Sequence, residues 1–131
     1  MDPKALNPLS LAYVGDAVYE QFVRERLVRA GIGGGHADLL HKAGVGYVCA
    51  GAQAAALHAL EGGLTEYETG LVRRARNHKI ATKPKNADPM TYKNATAFEA
   101  LLGYLYLAGE TERCKEIMQM AVEFTEAKKD E

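Results

Sequence analysis

Two carboxylates stand at positions where a helical protein has little structural use for them. In Leu9-Ser10-Leu11-Ala12-Tyr13-Val14-Gly15-Asp16-Ala17-Val18-Tyr19 nearly every residue is apolar. At about 100° per residue, Asp16 projects with Leu9, Tyr13 and Glu20, in the middle of an apolar stripe. The stretch Ala95 to Leu107 repeats the pattern, and its one ionisable carboxylate is Glu99. An ionised carboxylate on a central helix is costly unless it is paired or binds a metal, and two such helices suggest that the acids meet. Hard oxygen donors with little nitrogen or thiolate nearby favour Mg²⁺, or Mn²⁺, over zinc. The plainer alternative is that each acid pairs with an Arg or Lys, or lies at a helix end open to water. These residues alone leave both readings standing. Gly15 beside Asp16, and Gly103 one turn beyond Glu99, permit a close helix approach at a cost of ~1 kcal/mol each against Ala. Ordinary close packing would use them equally well.

Basic charge is the second chemical signal. Arg73, Arg74, Arg76, Lys79, Lys83, Lys85 and Lys93 are seven of the chain's 16 basic residues, and between 73 and 93 they meet one acid, Asp88. That local excess of six leaves the rest of the chain at −7, for a total of −1. Such an imbalance suits a polyanion, because each neutralised phosphate releases condensed counterions. A solvated basic face is the commoner meaning of a charge run, but this run coincides with a long irregular segment.

The elements that must carry these residues read as helix throughout, an all-α pattern of Ala, Leu, Glu and Arg at three- and four-residue spacings. The first helix is expected from about Pro8 to Ala30, stopped by Gly31, with Gly33-Gly34-Gly35 as a turn. The second is expected from Ala37 to Leu60, ended by Gly62-Gly63. Thr65 and Glu68 have capping-box spacing and open a third, which ends in cations around Arg76 to Lys79. A fourth is expected from about Ala95 to Ala108. The last carries Cys114, Ile117, Met118, Ala121 and Phe124 on one stripe and frays at Lys128 to Glu131. Between Asn77 and Asn94, Pro84, Asn86, Asp88 and Pro89 break the pattern, so a flexible basic loop is expected there. Connections of that length are commonly functional.

The chain has 131 residues, 47% hydrophobic and 25% charged, which is ordinary for one globular domain. The opening Met1-Asp2-Pro3-Lys4 lacks the features of a targeting segment, and no apolar run reaches the ~20 residues of a membrane span. Cys49 and Cys114 stand far apart, so a disulfide scaffold is not expected, a cytoplasmic protein is, and both thiols are expected to pack as small hydrophobes. Gly33-Gly34-Gly35 lacks the Lys-Ser/Thr of a phosphate-cradling loop. His36, His41, His58 and His78 lack metal-ligand spacing, and Ser10 has no nucleophile-elbow context.

Leu11-Ala12-Tyr13-Val14-Gly15-Asp16-Ala17-Val18-Tyr19-Glu20 resembles the signature helix of the ribonuclease III catalytic domain. Ala97-Phe98-Glu99-Ala100-Leu101-Leu102-Gly103-Tyr104-Leu105-Tyr106-Leu107 resembles its second metal-binding helix. The small size, the missing double-stranded-RNA-binding domain and Arg73-Arg74-Ala75-Arg76-Asn77 narrow the resemblance to the Mini-III ribonuclease family, over nearly the whole chain.

That resemblance implies a ribonuclease III-like endonuclease domain over residues 1–131, an all-α helical bundle that forms a homodimer. It implies Mg²⁺-dependent cleavage of double-stranded RNA to 5′-phosphate and 3′-hydroxyl ends, on a precursor of large-subunit (23S) ribosomal RNA. Asp16 and Glu99 match the family's metal-binding, catalytic acids. Ala12 stands where the longer ribonuclease III pattern has a Glu, and Thr96 where it has an Asp, so one well-held ion is expected rather than two. Thr96, through its hydroxyl or a water, and Glu20, one turn after Asp16, are candidates to support that ion indirectly. RNA contact is assigned to Arg73, Arg74, Arg76, Lys79, Lys83 and Lys85, through phosphates and 2′-hydroxyls. Arg73, Arg74 and Arg76 cannot share one helical face, so at least one is expected to have a structural partner. Two rivals remain: a non-catalytic ribonuclease III-like RNA-binding or assembly module, and a small helical DNA-binding regulator that uses the basic patch.

Overall fold

The computed structural model describes residues 1–78 and 88–130, which form six α-helices and no strand. Helix α1 spans Pro8–Arg29, α2 Ala37–Val48, α3 Ala50–Leu60, α4 Glu66–Asn77, α5 Pro89–Leu107 and α6 Thr111–Lys129. Local chemistry sets most of the ends. The Asn7 side chain accepts from the Leu9 N–H at 2.7 Å and Pro8 occupies the first turn, so α1 starts there. It stops where Gly31 turns left-handed, φ 73°. The Thr65–Glu68 capping box is reciprocal, with N···O distances of 2.9 and 3.1 Å. At the end of α5, Gly109 is left-handed and the N–H groups of Gly109 and Glu110 reach back to the carbonyls of Tyr106 and Leu105.

Helix α5 is the axle of the bundle. Ten of its residues are buried, among them Phe98, Leu101, Leu102 and Leu105, and α1, α3, α4 and α6 all pack around it. The buried line of α1, Leu11, Ala12, Gly15, Tyr19, Val23 and Leu27, faces it, and the Tyr19 ring meets Phe98 edge-on at 5.0 Å. Two ion-pair clusters tie the periphery. Arg26 on α1 and Tyr47 on α2 both donate to Glu126 on α6, while Arg113 on α6 grips Glu68 on α4 through both carboxylate oxygens.

Three expectations about the elements are corrected. The helix expected from Ala37 to Leu60 is two helices, bent by 43°. Cys49 between them is extended (φ −64°, ψ 156°), a break at a residue with no glycine or proline to announce it. Its side chain is exposed rather than packed as a small hydrophobe, whereas Cys114 is buried. Burial pushes the Cys114 thiol up to about 11. The irregular segment expected from Asn77 to Asn94 ends earlier, because α5 begins at Pro89. The Asp88 side chain accepts from the Thr91 N–H at 3.0 Å and Pro89 fits the first helical position, so residues read as breakers are a helix start. Among the described residues no single helix is long and apolar enough to cross a membrane.

Candidate metal centre and basic surface

Gly15 and Gly103 decide where the two acids lie. A Cβ built on Gly15 would overlap the Glu99 carbonyl oxygen, and one on Gly103 would overlap the Leu11 carbonyl oxygen. The helices α1 and α5 therefore cross backbone against backbone, closer than any side chain allows. Asp16 follows Gly15 directly, and Glu99 is the residue whose backbone Gly15 touches, so the carboxyl groups fall close enough for Asp16 to act on the Glu99 titration.

The surroundings of the pair are unequal. Asp16 is exposed and Glu99 half-buried. The apolar stripe expected around Asp16 does not face the core: Tyr13 is 84% exposed, Leu9 is exposed, and the buried line of α1 runs along its other side. The correction has a simple cause, since an α1 apolar almost all round gives periodicity no means of choosing the core face. Burial pushes the Glu99 carboxyl up to about 8, aided by the Asp16 hydrogen bond and charge and by the nearby Glu20 charge, while the Gln53 amide pulls the other way.

Glu20 is partly buried and paired with Arg24 at 3.1 Å. Thr96 is buried one turn before Glu99. Among the described residues no group of three or more His, Cys, Asp or Glu side chains gathers in metal-binding geometry, so the acids act as a pair. Gln53 on α3 is the residue the sequence reading missed. It is buried, and its amide nitrogen lies 3.5 Å from Glu99 Oε2. The available signal was a lone amide in Ala50–Leu60, where His58 is the only other polar side chain.

The basic residues divide. Arg73 and Arg74 are exposed on α4, with Arg74 over the Tyr67 ring at 5.6 Å. Arg76 is engaged by the fold itself: its Nε donates to Asn94 Oδ1 at 2.7 Å and its guanidinium pairs with Glu61. Among the described residues it is thus the member of the trio held by an ion pair, whereas Arg74 keeps only the contact with Tyr67. Lys79, Lys83 and Lys85 lie outside the described residues.

The chain's relatives agree with this architecture. Residues 9–110 match the family model "Ribonuclease III domain". A Mini-ribonuclease 3 from Symbiobacterium thermophilum is 53% identical over 95% of this chain and 95% of its own length. One from Brevibacillus brevis is 48% identical over 95% and 92%. A crystal structure of a Fusobacterium nucleatum protein superposes with a TM-score of 0.81 at 30% identity, covering 93% of this chain and 96% of the other. With the family model spanning both acid-bearing helices, and relatives this similar end to end, the chain belongs to the Mini-ribonuclease 3 family of ribonuclease III domain proteins.

Proposed function

We propose that this ribonuclease III-family chain is a metal-dependent endoribonuclease for double-stranded RNA, whose cation is held by Asp16 and Glu99. The observation that carries the reading is the meeting of those two acids across the Gly15–Gly103 crossing. Two adjacent carboxyls, one open to solvent and one driven toward its neutral form, fit a divalent cation that relieves their repulsion. Mg²⁺ suits the set, since it takes one or two protein carboxylates and keeps several waters, and Mn²⁺ can replace it. When bound, the cation supplies an activated water and neutralises charge at the scissile phosphate, leaving 5′-phosphate and 3′-hydroxyl ends.

The chain's own residues do the rest. Asp16, exposed, leaves room for a phosphate to approach, and Glu99, half-buried on α5, would hold the ion together with it. Glu20 adds negative charge to the pair, and Thr96, buried one turn before Glu99, is proposed to support the ion through its hydroxyl or a water. Arg73 and Arg74 present cations to the RNA backbone, joined by Lys79, Lys83 and Lys85, while Arg76 holds α4 in place and contributes through what its two partners leave free. We further propose a homodimer, one centre per RNA strand, supported by the exposed Leu9 and Tyr13 beside Asp16, since apolar patches commonly mark a protein partner. The natural substrate is assigned as precursor 23S ribosomal RNA, which places the enzyme in the cytoplasm.

The test is incubation of the purified protein with a long RNA duplex, with Mg²⁺ and with EDTA, followed by mapping of product ends. Cleavage that needs the cation and is lost in Asp16→Asn and Glu99→Gln is expected. Wild-type protein that binds the duplex without cutting it would turn the reading toward a non-catalytic module. Competition by DNA duplex as strong as by RNA would turn it toward a DNA-binding protein.

A further inference from the structure

Gln53 takes no part in the chemistry above, yet it is among the most buried polar side chains of the molecule, 2% exposed. Its position follows from the unannounced bend. Where Cys49 goes extended, α2 ends and the Val48 carbonyl leaves the helical ladder. Four residues into the next helix, Gln53 Nε2 donates to that carbonyl at 3.1 Å. A carbonyl only accepts, so the amide must turn its nitrogen toward Val48, and its oxygen cannot take that place. The same nitrogen has a second N–H, and it is directed at Glu99 Oε2, 3.5 Å away.

The geometry points to Gln53 as a positioning residue for the metal pair: its amide, locked by the Val48 carbonyl, holds Glu99 Oε2 and leaves Oε1 as the oxygen free for the cation. This rests on the reading of Asp16 and Glu99 as cation ligands. A glutamate has several rotamers and two equivalent oxygens, and an anchored donor on one oxygen removes much of that freedom before any ion arrives. Groups that orient metal ligands in this way commonly matter ~10–100-fold in metal affinity. At 3.5 Å the contact is long, which puts the expected effect at the lower end. The bend between α2 and α3 thereby acquires a purpose, since without the freed carbonyl the amide could present either of its ends to Glu99.

The experiment titrates Mn²⁺ into RNA-free protein, by calorimetry or paramagnetic resonance, for wild type, Gln53→Met, Gln53→Asn, Asp16→Asn and Tyr47→Phe. Tyr47→Phe removes a hydrogen bond to Glu126 at a different cluster and so controls for lost stability. Gln53→Met is expected to bind Mn²⁺ about 10-fold more weakly, with cleavage restored by a similar increase in Mg²⁺ and an unchanged KM for RNA. Tyr47→Phe is expected to bind as wild type. Gln53→Asn keeps an amide but ends one methylene short of Glu99; the same weakening is expected, and it replaces Gln53→Met should that variant not fold. Gln53 variants that lose stability yet bind Mn²⁺ like wild type would show an amide that only caps Val48, overturning the inference alone. Wild type that binds no Mn²⁺, or Asp16→Asn that binds equally well, would remove the metal pair and the inference with it.

Discussion

Glu68 and Glu99 are both glutamates on helices packed in the same bundle, and their carboxyls behave in opposite ways. Glu68 is the more buried, at 3% exposure, yet it is held below the ordinary glutamate range. The Arg113 guanidinium grips it at 2.7 and 2.9 Å, and the Thr65 backbone N–H adds a third donor. Glu126 is held low in the same manner, by Arg26 and the Tyr47 hydroxyl. Glu99 is pushed up, first by burial and then by the Asp16 carboxylate, which stands where a guanidinium would serve stability; among the described residues one amide at 3.5 Å is the side-chain N–H donor it has. Burial alone therefore does not set a carboxylate apart. What distinguishes the acid proposed as a metal ligand is a deficit of donors, which a cation would relieve.

The largest effect that would sharpen this contrast is on turnover. Glu99→Gln or Asp16→Asn is expected to lower duplex-RNA cleavage by about a thousandfold, measured as initial rate at saturating Mg²⁺. Glu99→Gln should leave the thermal midpoint of the metal-free protein unchanged or raised. A lowered midpoint would mean that Glu99 stabilises the fold as Glu68 does. The crossing itself comes next. Gly15→Ala places a methyl against the Glu99 backbone, which cannot rotate away, and is expected to cost about 3 kcal/mol in denaturant unfolding while weakening metal binding.

At the donor-rich site, Glu68→Gln is expected to destabilise by about 3 kcal/mol, since it removes the buried charge partner of Arg113 and leaves it the exposed Glu116 alone, while cleavage per folded molecule is kept. Equal losses of cleavage and stability in that variant would break the contrast. The smallest effect is in pH dependence. Glu99 in the fold binds its proton up to about 8, against 4.5 as the ordinary value. The folded state thus holds more protons than the unfolded one across that window, and metal-free stability should fall as pH rises through it. Glu68 and Glu126 work the other way: their contribution is present above the ordinary value and is lost as pH falls below it. Thermal midpoints from pH 4 to 9 should show both arms, and Glu99→Gln should remove only the alkaline one.

Much of the fold was readable because its signals are local. Asn7-Pro8, the Thr65–Glu68 box, Gly31 and Gly109 act within one turn of backbone, and each stands at a helix end. Asp88-Pro89 carried the same information but was taken for loop, because a cap and a breaker use the same residue types. The bend at Cys49 has no breaker at the residue itself, and the contacts that go with it are tertiary: Gln53 takes the freed Val48 carbonyl and faces Glu99, 46 residues further on. The exposed face of α1 was misplaced for a related reason: in a helix apolar nearly all round, Leu9 and Tyr13 look like core until a neighbour chooses the other side.

Sequence by itself determined the all-helical class, most helix ends and the identity of the two unusual acids, because capping, periodicity and charge are written in residues a few positions apart. Only the tertiary structure decided that Asp16 is open to solvent, that Arg76 is tied to Glu61 and Asn94, and that Gln53 reaches Glu99. Those facts depend on which helix faces pack together, and packing is a sum over contacts between residues 15 to 100 positions apart. No single residue carries that sum; here the two glycines at the α1–α5 crossing set its outcome.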